Sequence, residues 1–135
     1  RWQGWQTGRE AILLILHIGY AWLAGALLLI GAGILAPGAI PASAAIHALT
    51  AGAIATMTLA VMTRASLGHT GREIRADGWT AAIYLMVNAS AFLRVLAPCT
   101  AQSYLPLLAA AGMLWSGAFL LFVLCYWRVL TRVRV

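Results

Sequence analysis

The sequence contains very little charge. Only 9% of its 135 residues are charged, its acids number three, and its nine basic residues are all arginines. Soluble domains carry roughly a quarter charged residues. A chain with so few charges and 63% hydrophobic residues cannot cover a water-facing surface. A soluble globular enzyme is therefore excluded.

The sequence also lacks the short motifs of common enzymes and metal sites. There is no phosphate-binding glycine loop, HExxH or CxxC motif, or Ser–His–Asp order. Cys99 and Cys125 are predicted to flank the last span, roughly 26 residues and almost 40 Å of helix apart, which is too far for a disulfide. The acids Glu10, Glu73 and Asp77 all fall in polar segments, and a proton pump usually carries a carboxylate at membrane depth. These absences disfavour both a disulfide scaffold and a proton pump.

The apolar residues form long blocks that predict four membrane spans, at about residues 11–35, 42–63, 79–97 and 105–127. Each has roughly 19 to 25 residues, enough to cross a hydrocarbon core of about 30 Å. Each must be helical, because lipid offers the backbone no hydrogen-bond partner. The sequence therefore predicts an all-α integral membrane bundle, with residues 1–135 forming a single membrane domain. Because the chain begins with Arg1 and not Met, we expect a fragment or a processed product. No signal peptide is predicted, because the first apolar block is too long and lacks a small-residue cleavage site.

The arginines predict the orientation of the bundle. Arg94 alone lies near one side of the four-span zigzag, and the other eight lie on the opposite side: Arg1, Arg9, Arg64, Arg72, Arg75, Arg128, Arg132 and Arg134. Tryptophans cluster at the interface on that same side: Trp2, Trp5, Trp79 and Trp127. Arginine excess marks the cytoplasmic face, so both termini are predicted to be cytoplasmic. Arginines beside spans are a topology signal, so the basic character does not indicate a nucleic-acid partner; the expected partner is the lipid bilayer.

The second span carries small residues at every fourth position, which predicts close packing against another helix: Ala44, Ala48, Gly52, Thr56 and Ala60. Polar or sulfur-containing side chains lie on its opposite side: His47, Thr50, Thr58, Met62 and His69. This pattern predicts that the span lies inside a bundle. Tyr84 and Asn88, one turn apart on the third span, are expected to hydrogen-bond each other or a neighbouring helix. The four methionines (Met57, Met62, Met86 and Met113) are at scattered depths and are interpreted as core filling rather than Cu(I) ligands.

The candidate functional residues are three histidines and one arginine. By helical rise, His17 lies about 9 Å inside the cytoplasmic end of the first span, and His47 about 7 or 8 Å inside the outer end of the second. An ionisable residue within a span is a functional hypothesis, and the alternative is a hydrogen bond across helices. His69 is predicted in a solvated loop, where a structural role is the alternative. Arg94, at a depth similar to His47, could bind an anionic group bidentately or reach the headgroups.

Three segments carry a resemblance to a known family. They read HALTAGAIATMTLAVMTRASLGHTGR from His47 to Arg72, ILLILHIGYAWLAGALLL around His17, and RWQGWQTGRE at the start. Together they resemble the NnrS family, most strongly over residues 1–75 and more loosely over the third and fourth spans. Full-length members have many more spans, so the chain is similar to their C-terminal portion. Further spans or a homo-oligomer would complete the bundle.

The resemblance implies a multi-pass protein of the bacterial inner membrane that contains haem and copper. It also implies a role in the nitric oxide response, in denitrification or nitrosative stress protection. His17, His47 and His69 are candidate metal ligands because they lie in the matching segments. His47, with Thr50 as a second contact and Arg94 holding a haem propionate, forms the preferred outer site, whereas His17 and His69 could form a second. His17 and His47 should not share one iron, because their predicted depths differ by roughly 15 Å. The alternatives are a transporter or channel fragment and a structural module without a cofactor; whether the chain is an enzyme stays open.

Overall fold

The computed structural model describes residues 10–131, which form four membrane-length helices. Helix α1 is Ala11–Leu35, α2 is Ala42–His69, α3 is Gly78–Cys99 and α4 is Tyr104–Thr131. The described residues contain no strand, which confirms the all-helical prediction. The turns 36–41 and 100–103 connect the helices at one end of the bundle, here called the turn end, and residues 70–77 connect them at the other, the loop end. The predictions for Arg1, Trp2, Trp5, Arg9, Arg132 and Arg134 lie outside the described residues.

The largest difference from the predicted spans is at the end of α2. The sequence predicts that this span ends near residue 63, but the helix continues through His69, so His69 is an exposed last helical residue and not a loop residue. The helix stops where Gly71 adopts a φ of +73°. The amide of Arg72 donates to the carbonyl of Leu67 and that of Gly71 to Gly68, the hydrogen bonds of a Schellman cap. A charged Arg64 ends the apolar run, but it does not end the helix.

Helix α2 lies at the centre of the bundle. Half of the residues in an apolar 18-residue stretch of α2 are buried inside the protein. In stretches of the same length, 22% are buried in α1 and 17% in α4. All members of the small-residue ladder are buried, as predicted: Ala44, Ala48, Gly52, Thr56 and Ala60. On the opposite side of α2, Thr50, Thr58 and Met62 are exposed and His47 is half-buried. The packing ridge and the polar side are therefore both where the sequence predicts them.

The core near the loop end is tied together by hydrogen bonds between helices. Tyr84 on α3 is 5% exposed, and its hydroxyl lies 2.5 Å from Oγ1 of the fully buried Thr63 on α2. Thr80, one turn earlier on α3, bonds the hydroxyl of Tyr126 on α4 at 2.9 Å. Asn88, one turn later, accepts a hydrogen bond from Nε1 of Trp22 on α1 at 2.8 Å and donates to the carbonyl of Tyr84. Tyr84 and Asn88 thus bond each other and neighbouring helices, as predicted.

Replacing Tyr84 by Phe should lower the free energy of unfolding by about 1 kcal/mol, because interhelical hydrogen bonds in membranes contribute roughly 0.6 to 1.7 kcal/mol. Tyr104→Phe is the matched control, since Tyr104 is 41% exposed at the start of α4. The measurement is reversible unfolding of the purified protein in mixed micelles. Equal stability of the two variants would show that the Tyr84–Thr63 contact contributes nothing.

One feature of α2 is not predicted by the sequence. Residues Ala48–Ile54 form a π-helix, and Ala55 continues the α-helix. Within it, Gly52 packs directly against the indole of Trp22, where an added Cβ would lie 2.6 Å from ring carbons. Thr50 donates its hydroxyl proton to the carbonyl of Ile46 at 2.9 Å. A π-helix rotates the residues before it relative to those after it, and such segments are frequent at functional sites.

A candidate ligand site at Arg94

His47 and Arg94 lie close together, at the turn end of α2 and α3. His47 ends the first α-helical part of α2, directly before the π-helix, and is half-buried. The guanidinium of Arg94 is near enough to act electrostatically on the imidazole. The sequence places the two at similar depth on neighbouring spans, and in the structure their side chains lie within electrostatic range of each other.

The side chain of Arg94 extends from the turn end toward the middle of the helices. Its Nε is buried and has no hydrogen-bond partner within residues 10–131. Its side chain lines a pocket of about 320 Å³ together with α2 residues as far along the helix as Thr58, sixteen residues beyond Ala42. Side chains on a helix lean toward its N-terminus, which for α3 is the loop end, so this direction is the expected one.

The pocket has one polar and one aromatic wall. The polar wall comes from α2, where Thr50 and Thr58 lie on either side of Ile54. The aromatic wall comes from α4, where the rings of Trp115 and Phe119 lie 4.5 Å apart between centroids. The two threonines belong to the polar side that the sequence predicts, but the aromatic pair was not predicted. Trp115 and Phe119 are ordinary apolar residues of a span, and no pattern in the sequence assigns them to a site.

His17 lies elsewhere, on α1 toward the loop end. Its Nδ1 donates to the carbonyl of Leu13 at 2.9 Å, which in the neutral ring leaves the lone pair on Nε2. Gly19 contacts Met57 on α2, so His17, two residues from Gly19, lies at about the same depth in the bundle as residue 58 of α2. From there to His47 is about eleven residues, or roughly 16 Å by helical rise. The separation agrees with the predicted difference in depth.

His69 does not share a metal cluster with the other histidines. It is exposed at the last residue of α2. No group of three or more His, Cys, Asp or Glu side chains within the described part of the chain could hold a metal ion. Cys99 and Cys125 are free thiols, as their predicted separation requires. A copper centre with three such ligands therefore does not fit residues 10–131.

The methionines take two different positions. Met57 packs over Gly19 and Met86 over Gly117, and in both places the glycine provides the space for the thioether. These two fill the core, as predicted. Met113 is 71% exposed and Met62 is 37% exposed, so the core-filling interpretation is wrong for them.

Comparison with protein families gives a match. A family model described as NnrS protein matches residues 1–134, which is essentially the whole chain. A comparison with curated proteins found no match, and a comparison with solved structures found none either. The match covers all four helices and the residues at His47 and Arg94. The chain therefore belongs to the NnrS family.

Proposed function

We propose that this chain is a haem-binding membrane protein of the nitric oxide response, located in a bacterial inner membrane with both termini in the cytoplasm. Family membership and four membrane-length helices support this class of protein. The observation that carries the haem proposal is the pairing of His47 with Arg94. A half-buried imidazole lies within electrostatic range of a guanidinium whose buried Nε has no partner in residues 10–131.

His47 and Arg94 fit haem better than copper. Haem needs an axial imidazole and a cation for its propionates, and His47 and Arg94 are of these two types. A copper site of three ligands from His, Cys, Asp and Glu does not fit residues 10–131. Haem, when bound, supplies an iron that can bind nitric oxide. The chain itself would hold the iron through His47, hold a propionate through Arg94 and exclude water with the surrounding apolar residues.

Thr50 remains the candidate second contact of His47. Its hydroxyl donates to the carbonyl of Ile46, so its oxygen could only accept a hydrogen bond, such as one from a ring N–H of His47. His17 is the second candidate ligand, because its Nδ1–H is held by Leu13 as in many metal-bound histidines. The separation of roughly 16 Å means that His17 and His47 would serve different metal atoms. His69 is the remaining candidate, near the loop end with His17.

Replacing His47 by Ala is the direct test. Loss of a residue that only hydrogen-bonds a metal ligand costs about 10–100-fold in metal affinity. Loss of the ligand itself should therefore lower haem content at least about tenfold. Haem per protein and the Soret band are measured on the purified full chain, after size-exclusion chromatography shows that the variant is folded. Gln102→Ala is the control, because Gln102 is exposed at the turn end and is not a candidate ligand. Unchanged haem in His47→Ala together with lost haem in His17→Ala would overturn the outer site.

A further inference from the structure

The Nε of Arg94 points to a specific kind of ligand. A guanidinium binds a carboxylate side-on through Nε–H and one terminal N–H, which together form a planar fork. In Arg94, Nε is buried, yet no residue between 10 and 131 accepts its hydrogen bond. A buried donor without an acceptor is costly, because it has lost its hydrogen bond to water. An acceptor with two oxygens in the pocket would remove that cost.

The other walls of the pocket indicate what the acceptor is attached to. Trp115 and Phe119 present a pair of rings, which suits a flat apolar body. Opposite them, the hydroxyl of Thr58 can donate or accept a further hydrogen bond, and the oxygen of Thr50 can accept one. At about 320 Å³, the pocket is near the lower limit for small-molecule sites. It therefore suits one acid-bearing edge of a ligand whose remainder lies over exposed residues such as Ile54.

The depth of the pocket argues against a phospholipid headgroup. Thr50 and Thr58 lie eight and sixteen residues from the start of α2. By helical rise these residues are roughly 12 and 24 Å along the helix, which is deeper than the headgroup layer. A ligand that reaches Arg94 there must be soluble in the hydrocarbon region apart from its acid group.

We infer that the pocket between Arg94, the π-helix and the Trp115–Phe119 pair is a carboxylate site for a flat or aliphatic apolar acid. The inference rests on the proposed function where that acid is haem and the carboxylate is a propionate. A free lipid-soluble acid is the other source of the same chemistry. In both cases Arg94 binds the carboxylate through its fork, and the aromatic pair contacts the apolar body.

The test compares haem with haem dimethyl ester, in which the propionates are neutral but the iron is unchanged. Wild-type protein should bind haem about tenfold or more tightly than the ester, because hydrogen bonds to charged groups contribute roughly 1.5–3 kcal/mol. Arg94→Leu should bind the two equally. Arg94→Lys keeps the charge but not the fork, so it should recover only part of the preference. Arg72→Leu removes the same charge from an exposed position in the connecting segment and should keep the full preference.

The outcomes separate the inference from the proposed function. If the wild type binds the ester as tightly as haem, or if Arg94→Leu keeps the preference, the carboxylate site is wrong. His47→Ala should weaken haem and the ester alike, and its failure to do so would overturn the iron ligand while leaving the carboxylate site intact. Palmitate, with methyl palmitate as its control, distinguishes the source. Displacement of haem by palmitate alone shows that the site also takes free acids, and no displacement restricts it to the propionate.

Discussion

Gly52→Ala should lower the free energy of unfolding by about 1–3 kcal/mol, the usual cost of overpacking a well-filled interior. The new Cβ would lie 2.6 Å from two ring carbons of Trp22 and 3.0 Å from a third. The indole cannot easily move away, because its Nε1 donates to Asn88 and its ring packs 4.7 Å from that of Phe92. The measurement is reversible unfolding of the purified chain in mixed micelles.

Two glycines of α1, Gly25 and Gly19, provide comparisons for this substitution in α2. Nothing lies within 4 Å of a Cβ added at Gly25, so Gly25→Ala should leave stability unchanged or slightly raise it. At Gly19 the added Cβ meets the flexible thioether of Met57, so the loss should lie between those at Gly25 and Gly52. If Gly52→Ala is no less stable than Gly25→Ala, then the Trp22–Gly52 contact does not hold α2 in place.

Composition and periodicity predict most of this fold. Long apolar blocks must become helices in lipid, whatever their detailed packing, so the four spans could be located. The ladder that includes Ala48 and Gly52 predicts the buried side of α2, because only small side chains permit a close approach. The end of α2 could not be placed from hydropathy. Arg64 ends the apolar run, but backbone hydrogen bonds continue to the cap at Gly71, so the helix is longer than the membrane-facing block.

Only part of the candidate site can be predicted from the sequence. His47 and Arg94 could be singled out because ionisable residues are costly at membrane depth. The π-helix could not be predicted, since residues such as Ala48 and Ile54 are compatible with an ordinary α-helix. The aromatic wall could not be predicted for a different reason. Phe119 becomes part of a site only because α4 brings it opposite Arg94, and that is a property of the packing.

Reporter fusions after Arg75 and after Gln102 should report opposite sides of the membrane, with Arg75 on the cytoplasmic side. Arg75 lies between α2 and α3, and Gln102 lies between α3 and α4, so one helix separates them. Arginine excess keeps a segment in the cytoplasm, and Arg64 and Arg72 lie near Arg75. Only Arg94 lies near the other end of α3. The effect is all-or-none: alkaline phosphatase should be active only after Gln102, and a fluorescent protein only after Arg75.

The free cysteines give a check on the same topology without a fusion. Cys99 is exposed at the turn end of α3, whereas Cys125 is half-buried near the loop end of α4. In spheroplasts, a maleimide that cannot cross membranes should label Cys99 in the wild type and should label nothing in Cys99→Ser. Labelling confined to inside-out vesicles would mean that the arginine-rich end faces outward, against the positive-inside rule. Equal reporter activity at both fusion points would instead mean that α3 does not cross the membrane, and the count of four spans would then be wrong.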